Sequence, residues 1–180
     1  MAGGSGASRE PVMHNDFVLV GPPKDPADVA DAPGAPAGLE QIAQAEAGFA
    51  SRADDSGTHT KELSLWETAE VEPKGGWYIE TGQGMGETLT IAGQKSAYTL
   101  TDRATFLATE GLTSTIAFEG SDDLRNYYHV IVVDRGEEPV PCADEFATWL
   151  QDPEVQERIG DFGAEEHGEP LFVPDAEATG

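Results

Sequence analysis

Apolar and polar positions change period repeatedly along this chain, and the changes mark out its elements. "PVMHNDFVLVGP" (11–22) carries a nearly continuous apolar run that Gly21-Pro22-Pro23 stops, which predicts a strand. Residues 23–38, rich in Pro, Ala and Asp, predict a loop with at most one helical turn. "LEQIAQAEAG" (39–48) spaces Leu39, Ile42 and Ala43 along one helix face, with Gly48 as its stop. "FAS" (49–51) predicts a short buried strand running into a polar loop. From Ser56 to about Val71 the pattern is helical, with Leu63, Trp66 and Ala69 on one stripe.

Pro73 to Gly76 breaks that helix, and the alternation resumes. Strands are predicted at 77–81, 97–101, 114–120 and 127–133, and helices at 87–95, 102–111, 142–150 and 153–163. Gly111 closes one helix and Pro153 opens another. The glycine turn "GQGMG" (82–86) separates the first strand and helix of this series, and the tail 169–175 is extended. Strand and helix alternate without an internal repeat, so the expected class is α/β with largely parallel sheets.

Composition narrows the partners. Acidic residues outnumber basic ones 34 to 10, for a formal net charge of −24. Phosphate contacts need clustered Lys and Arg, and none occurs, so nucleic acid is excluded as a partner. At about 1 M ionic strength the Debye length is about 3 Å, so a self-repelling acidic surface suits a salt-rich environment. A halophile's protein and a merely acidic one remain alternatives. Cys142 is alone, which leaves no intramolecular disulfide; it is expected to start or line a helix. No run of 18 apolar residues predicts a membrane span. "MAGGSGASRE" (1–10) lacks the apolar core of a signal peptide and reads as a flexible leader.

Three strand-to-helix turns are candidates for chemistry: 51–58, 81–87 and 101–103. Helices begin there with unpartnered N–H groups and the positive end of their dipole, an arrangement that favours a small oxyanion. In "SRADDSGT", Ser56 and Thr58 offer hydroxyls, Gly57 lets the backbone approach, and Arg52 offers a two-pronged donor that Asp54 or Asp55 can hold. The alternative is a plain helix cap with a surface ion pair. "TGQGMG" lacks the order of a dinucleotide loop, and serves either as a second cleft wall or as a tight turn. "TLTDRAT" reads as a capped helix with an Asp102–Arg103 surface pair. Ser56 and His59 share one helix and no GxSxG elbow exists, so no catalytic triad and no enzyme is predicted. His59-x-x-Glu62 has metal-ligand spacing, but His14, His129 and His167 do not cluster with it; a solvated helix face is expected there.

Taken together, "PVMHNDFVLVGP", "SRADDSGTH", "KELSLW", "WYIETGQGMGETL", "AYTLTDRATF", "ATWLQDPEVQERIGDFG" and "GEPLFVPDA" resemble the tungstate-binding proteins of ABC transporters, across roughly residues 11–176. "RADDSGT" is also similar to the anion loop of periplasmic phosphate-binding proteins. The resemblance implies a type 2 periplasmic-binding-protein fold, with two α/β lobes joined by crossing strands. Beyond the leader 1–10, it assigns 11–113 to a crossing strand and the second lobe, and 114–180 to the return strand and part of the first lobe. The implied ligand is a tungstate- or molybdate-type oxyanion, with no cofactor and no metal site. Its implied contacts are Ser51, Arg52, Ser56, Gly57 and Thr58, with Gly84 and Met85 as cleft lining.

This chain departs from the family in three places. Ala53 stands where tungstate binders usually have glycine, though the phosphate-binding relatives also have alanine. Asn126-Tyr127-Tyr128-His129 replaces an Asn-Pro-Tyr-Gly pattern. The family's N-terminal segment, with a Thr/Ser-rich loop that completes the cage, is not matched here, which implies weakened binding and an incomplete first lobe open to self-association. The implied role is the solute-binding subunit that serves a transporter permease, extracytoplasmic for the family. The want of a signal peptide keeps a cytoplasmic oxyanion sensor open, and a non-functional truncated fragment is the third reading. Tungstate and molybdate are too close in size for the sequence to separate them.

Overall fold

The apolar run near the start forms a 16-residue strand, β1 (Gly6–Gly21), in a computed structural model that describes residues 6–133 and 141–176. Residues 6–10 are therefore strand and not a flexible leader, while 1–5 lie outside the described residues. The reason is a partner: β6 (Arg125–Val133) pairs with β1, and the Arg9 guanidinium lies 3.3 Å from His129 Nδ1. The chain divides into two units, residues 16–125 and residues 1–15 with 126–180.

In the unit 16–125 the elements follow the predicted order. They are α1 (Ala35–Gln44), β2 (Phe49–Ser51), α2 (Gly57–Thr68), β3 (Tyr78–Glu80), α3 (Met85–Lys95), β4 (Thr99–Asp102), α4 (Arg103–Ala108) and β5 (Thr115–Phe118). Residues 23–34 hold a single 3-10 turn at Val29–Asp31. α1 begins four residues earlier than expected, with Pro36 in its first turn. It also ends before Gly48, because Glu46 adopts a left-handed φ of 49°.

β2 and β3 are parallel, in the register Phe49↔Tyr78 to Ser51↔Glu80. Tyr98, leading into β4, runs parallel on the other side of β2, with Ala50 N–H donating to its carbonyl at 2.8 Å. These three strands are joined by helical crossovers, which enforce the parallel sense. β1 lies antiparallel to both β4 and β5. The expectation of largely parallel sheets thus holds only for β3, β2 and β4; β1 and β5 carry the chain into and out of the unit and need no crossover.

Side chains of β1 alternate between two cores. Phe17 and Leu19 join Leu39, Ile42, Phe49, Leu65, Trp66, Tyr98 and Leu100, whereas Val18 and Val20 join Met85 and Leu89. Burial on both faces explains the unbroken apolar run. At Gly21 a Cβ would sit 2.3 Å from the Tyr98 ring, so only glycine fits. The α2 stripe differs from the expected one: Glu62, Leu65 and Trp66 face inward and Leu63 is exposed.

The unit of residues 1–15 and 126–180 pairs the first part of β1 with β6 and with β7 (Val173–Pro174), the latter antiparallel at Met13↔Pro174. Its helices are α5 (Pro141–Leu150), α6 (Pro153–Asp161) and α7 (Ala164–His167). Asp152 caps α6, accepting from the Glu154 amide at 2.9 Å, and Pro153 occupies its start. Cys142 lies in the first turn of α5 and is exposed.

Candidate functional site

Three helices, α2, α3 and α4, open at the carboxyl ends of β2, β3 and β4, so their N-termini share one edge of the parallel strands. That edge is where open α/β sheets hold ligands. Thr81 stitches two of the turns together. Its amide and its hydroxyl both reach the Ser51 carbonyl at 2.9 Å, and the hydroxyl also lies 2.9 Å from Thr88 Oγ1 on α3.

The α2 opening is built from the residues singled out above. Ser56 is the N-cap, its hydroxyl accepting from the His59 amide at 3.3 Å. Gly57 and Thr58 then take the first helical positions, where an N–H has no acceptor within its own helix. Arg52 bonds to Asp54 through one terminal nitrogen, and its Nε is buried with no acceptor among the described residues. The Asp54 carboxylate is held below its usual range, first by the Ser56 hydroxyl and then by the Ser56 amide and Arg52. Asp54 therefore braces the guanidinium and the helix cap together.

Ala53 sits at φ 48° and Asp55 at φ 57°, both left-handed. A non-glycine residue in that region costs roughly 1–2 kcal/mol, so glycine would be accommodated at position 53 with less strain than alanine. His59 Nδ1 accepts the Asp55 amide at 3.1 Å and folds the loop back on α2.

The remaining candidates are disposed differently. The Ser51 hydroxyl points inward, donating to Glu62 Oε2 at 2.8 Å, so the residue is fully buried. Gly84 is the exposed N-cap of α3. The Met85 side chain packs with Val18, Val20 and Leu89, and its amide takes the first helical position, where an N–H has no acceptor within its own helix. At the third turn Asp102 caps α4, accepting from the Thr105 amide at 2.9 Å. Arg103 does not pair with it; the guanidinium reaches Asp16 at 2.9 and 2.7 Å and also Glu119.

Glu62 corrects the expectation of a solvated helix face. Only 2% exposed, it accepts from Ser51, from Trp66 Nε1 at 3.1 Å and from Tyr78 Oη at 2.7 Å. Burial pushes its carboxyl above the ordinary value, against the pull of those three bonds. Sequence reasoning missed Thr81, Thr88, Tyr78 and the inward role of Glu62. Their signal is faint: a threonine before a glycine turn, and a carboxylate at an otherwise apolar helix position. A depression of about 590 Å³ lies by Gly48, Lys74, Trp77 and Lys95, at the amino ends of β2 and β3, and touches none of the candidate residues.

Comparison with known proteins adds a family to this geometry. A family model described as a PBP superfamily domain matches residues 1–154. A Haloferax volcanii protein named for ABC-transporter anion binding is 45% identical over 182 residues, 96% of this chain and 53% of its own length. The tungstate-binding protein TupA of Peptoclostridium acidaminophilum is 41% identical over 185 residues, 98% of this chain and 64% of its own. Among solved structures, the tungstate-binding protein TupA from Desulfovibrio alaskensis G20 is 39% identical with a TM-score of 0.86, over 98% of this chain and 73% of that one. The chain thus spans between half and two thirds of those two curated relatives.

Proposed function

The chain belongs to the PBP superfamily, and on that premise we propose that it binds a tetrahedral oxyanion, tungstate or molybdate, as the solute-binding subunit of an ABC importer. One observation carries the reading: the α2 opening joins a capped helix start, two outward amides and a guanidinium braced by Asp54. Each of these donates to oxygen, which suits a ligand that presents four oxygens and no protons. The relatives named for anion and tungstate binding support it further.

The net charge of −24 does not oppose such a ligand. Carboxylates beyond a Debye length, about 8 Å at physiological ionic strength, are screened, so the donors in contact decide the affinity. The site performs capture, not chemistry, and hands the ion to a permease outside the cytoplasmic membrane. Among the described residues no helix is long and apolar enough to cross a membrane.

These 180 residues supply part of the cage, and alone they hold the ion less tightly than the longer relatives do. Each charge-assisted hydrogen bond not made is worth about 1.5–3 kcal/mol, or roughly one to two tenfold steps. Thermal-shift titrations with tungstate, molybdate, sulfate and phosphate test the reading, with Arg52→Ala as the control. A shift larger for tungstate than for phosphate, and lost in the variant, is expected. Equal, absent or Arg52-independent shifts would sink it.

A further inference from the structure

Ser51 has one hydroxyl proton, and Glu62 holds it. The bond runs from Ser51 Oγ to Glu62 Oε2 at 2.8 Å, while the same Oγ accepts the Ala53 amide at 3.3 Å. Glu62 Oε1 is occupied by Trp66 and Tyr78. An oxyanion at the loop and an ionised Glu62 would therefore compete for a single donor. A neutral Glu62 removes the conflict. Its O–H donates to Ser51 Oγ, whose two lone pairs then serve Glu62 and the Ala53 amide, and whose proton is released toward the loop. Trp66 and Tyr78 keep their acceptor in both states. The ionised state is fully hydrogen-bonded in the free chain, and the neutral state becomes so once an oxyanion accepts the Ser51 proton, so the network has two discrete arrangements.

Resting on the oxyanion reading above, we propose that Glu62 is a proton-linked positioning residue: on ligand binding it takes one proton from solvent at Oε2 and turns the Ser51 hydroxyl to the oxyanion. Burying a dianion near a buried carboxylate drives the uptake, because two like charges in a poorly solvated place repel strongly. Burial alone already favours the neutral acid. His59, on the same helix, favours the charged form, and its Nδ1 is taken by Asp55. On β3, Tyr78 donates to Glu62, and Glu80 acts on Tyr78. In the loop Arg52 is bonded to Asp54. Of the other elements packed on α2, α1 carries Glu40, which accepts from Gln44 at 2.8 Å, and β4 carries Asp102, which caps α4.

The sign follows from linkage: the bound state holds more protons, so affinity falls as pH rises. The expected slope is about tenfold per pH unit between the titration of Glu62 in the free chain and its higher titration in the bound chain, and flat outside that window. Calorimetric titration with sodium tungstate, in two buffers of different ionisation enthalpy, should show about one proton taken up per ion bound. Measurement belongs above the range where tungstate itself takes up protons. In Glu62→Gln the amide donates permanently to Ser51, so tungstate should bind with no proton uptake and no slope. A readout without ligand is the Trp66 indole ¹⁵N resonance. It should titrate above the usual carboxylate range in the wild type and stay flat in the variant.

Binding without proton uptake overturns the proposal, as does a Trp66 resonance that does not titrate. So does uptake that survives Glu62→Gln, which would belong to another group, His59 being near. Failure of both chains to bind tungstate is a distinct result: it removes the oxyanion reading and the coupling with it.

Discussion

From Phe17 to Val20 every side chain of β1 is buried, alternately against the Leu39 and Leu89 clusters. β6 has as dense an apolar run, yet Tyr127, Ile131 and Val133 are each about half exposed. The helices differ in the same way. Leu39 and Ile42 of α1 are sealed, whereas Phe146 and Trp149 of α5 stack on one another while exposed to solvent. An apolar groove of about 350 Å³, lined by Met13, Trp149, Ile159, Phe162 and Phe172, belongs to that second region. Apolar periodicity announces an element; burial requires a layer to cover each face. In residues 16–125 the crossover helices supply those layers.

The comparison breaks most visibly at Trp66. It is fully buried, with Phe49 at 5.2 Å and Trp77 at 5.9 Å between ring centroids. Trp66→Ala should cost about 3–5 kcal/mol in chemical denaturation. A loss below about 1 kcal/mol would mean that the unit 16–125 is no better packed than its neighbour. Gly21→Ala comes next, since its Cβ would overlap the Tyr98 ring, itself fixed by hydrogen bonds to Asp25 and Ala27. Overpacking of that kind costs about 1–3 kcal/mol, read as a lowered melting temperature.

Smaller effects sharpen the contrast. Ser56→Ala removes the α2 cap and should cost about 1 kcal/mol, with a drop in oxyanion affinity beyond the loss of stability. Equal losses in both would make Ser56 a cap alone. Phe162→Ser, at a ring 60% exposed, should change stability by no more than about 0.5 kcal/mol. The same substitution should reduce binding of a hydrophobic dye, because the ring lines the exposed groove. A loss approaching that of Trp66→Ala would show the second region to be packed as tightly as the first.

Much of this was legible before any coordinates. The kinds and order of the elements were readable because hydrophobic period, glycine stops and proline starts act within a few residues of themselves. For the same reason "SRADDSGT" could be placed at a strand-to-helix turn: a cap, its serine and the following glycine are neighbours in the chain. Other features depend on residues far apart in sequence. The antiparallel sense of β1 is decided by pairing with β4 and β5, some eighty to a hundred residues on. Where the α2 stripe lies, and that it contains Glu62, depends on Ser51 from β2 and Tyr78 from β3 meeting one carboxylate. A lone glutamate in a helix reads as a surface residue, because ionised carboxylates avoid burial unless donors are brought to them. Only the packed sheet brings those donors, so the sequence alone could name the loop but not which way its first hydroxyl points.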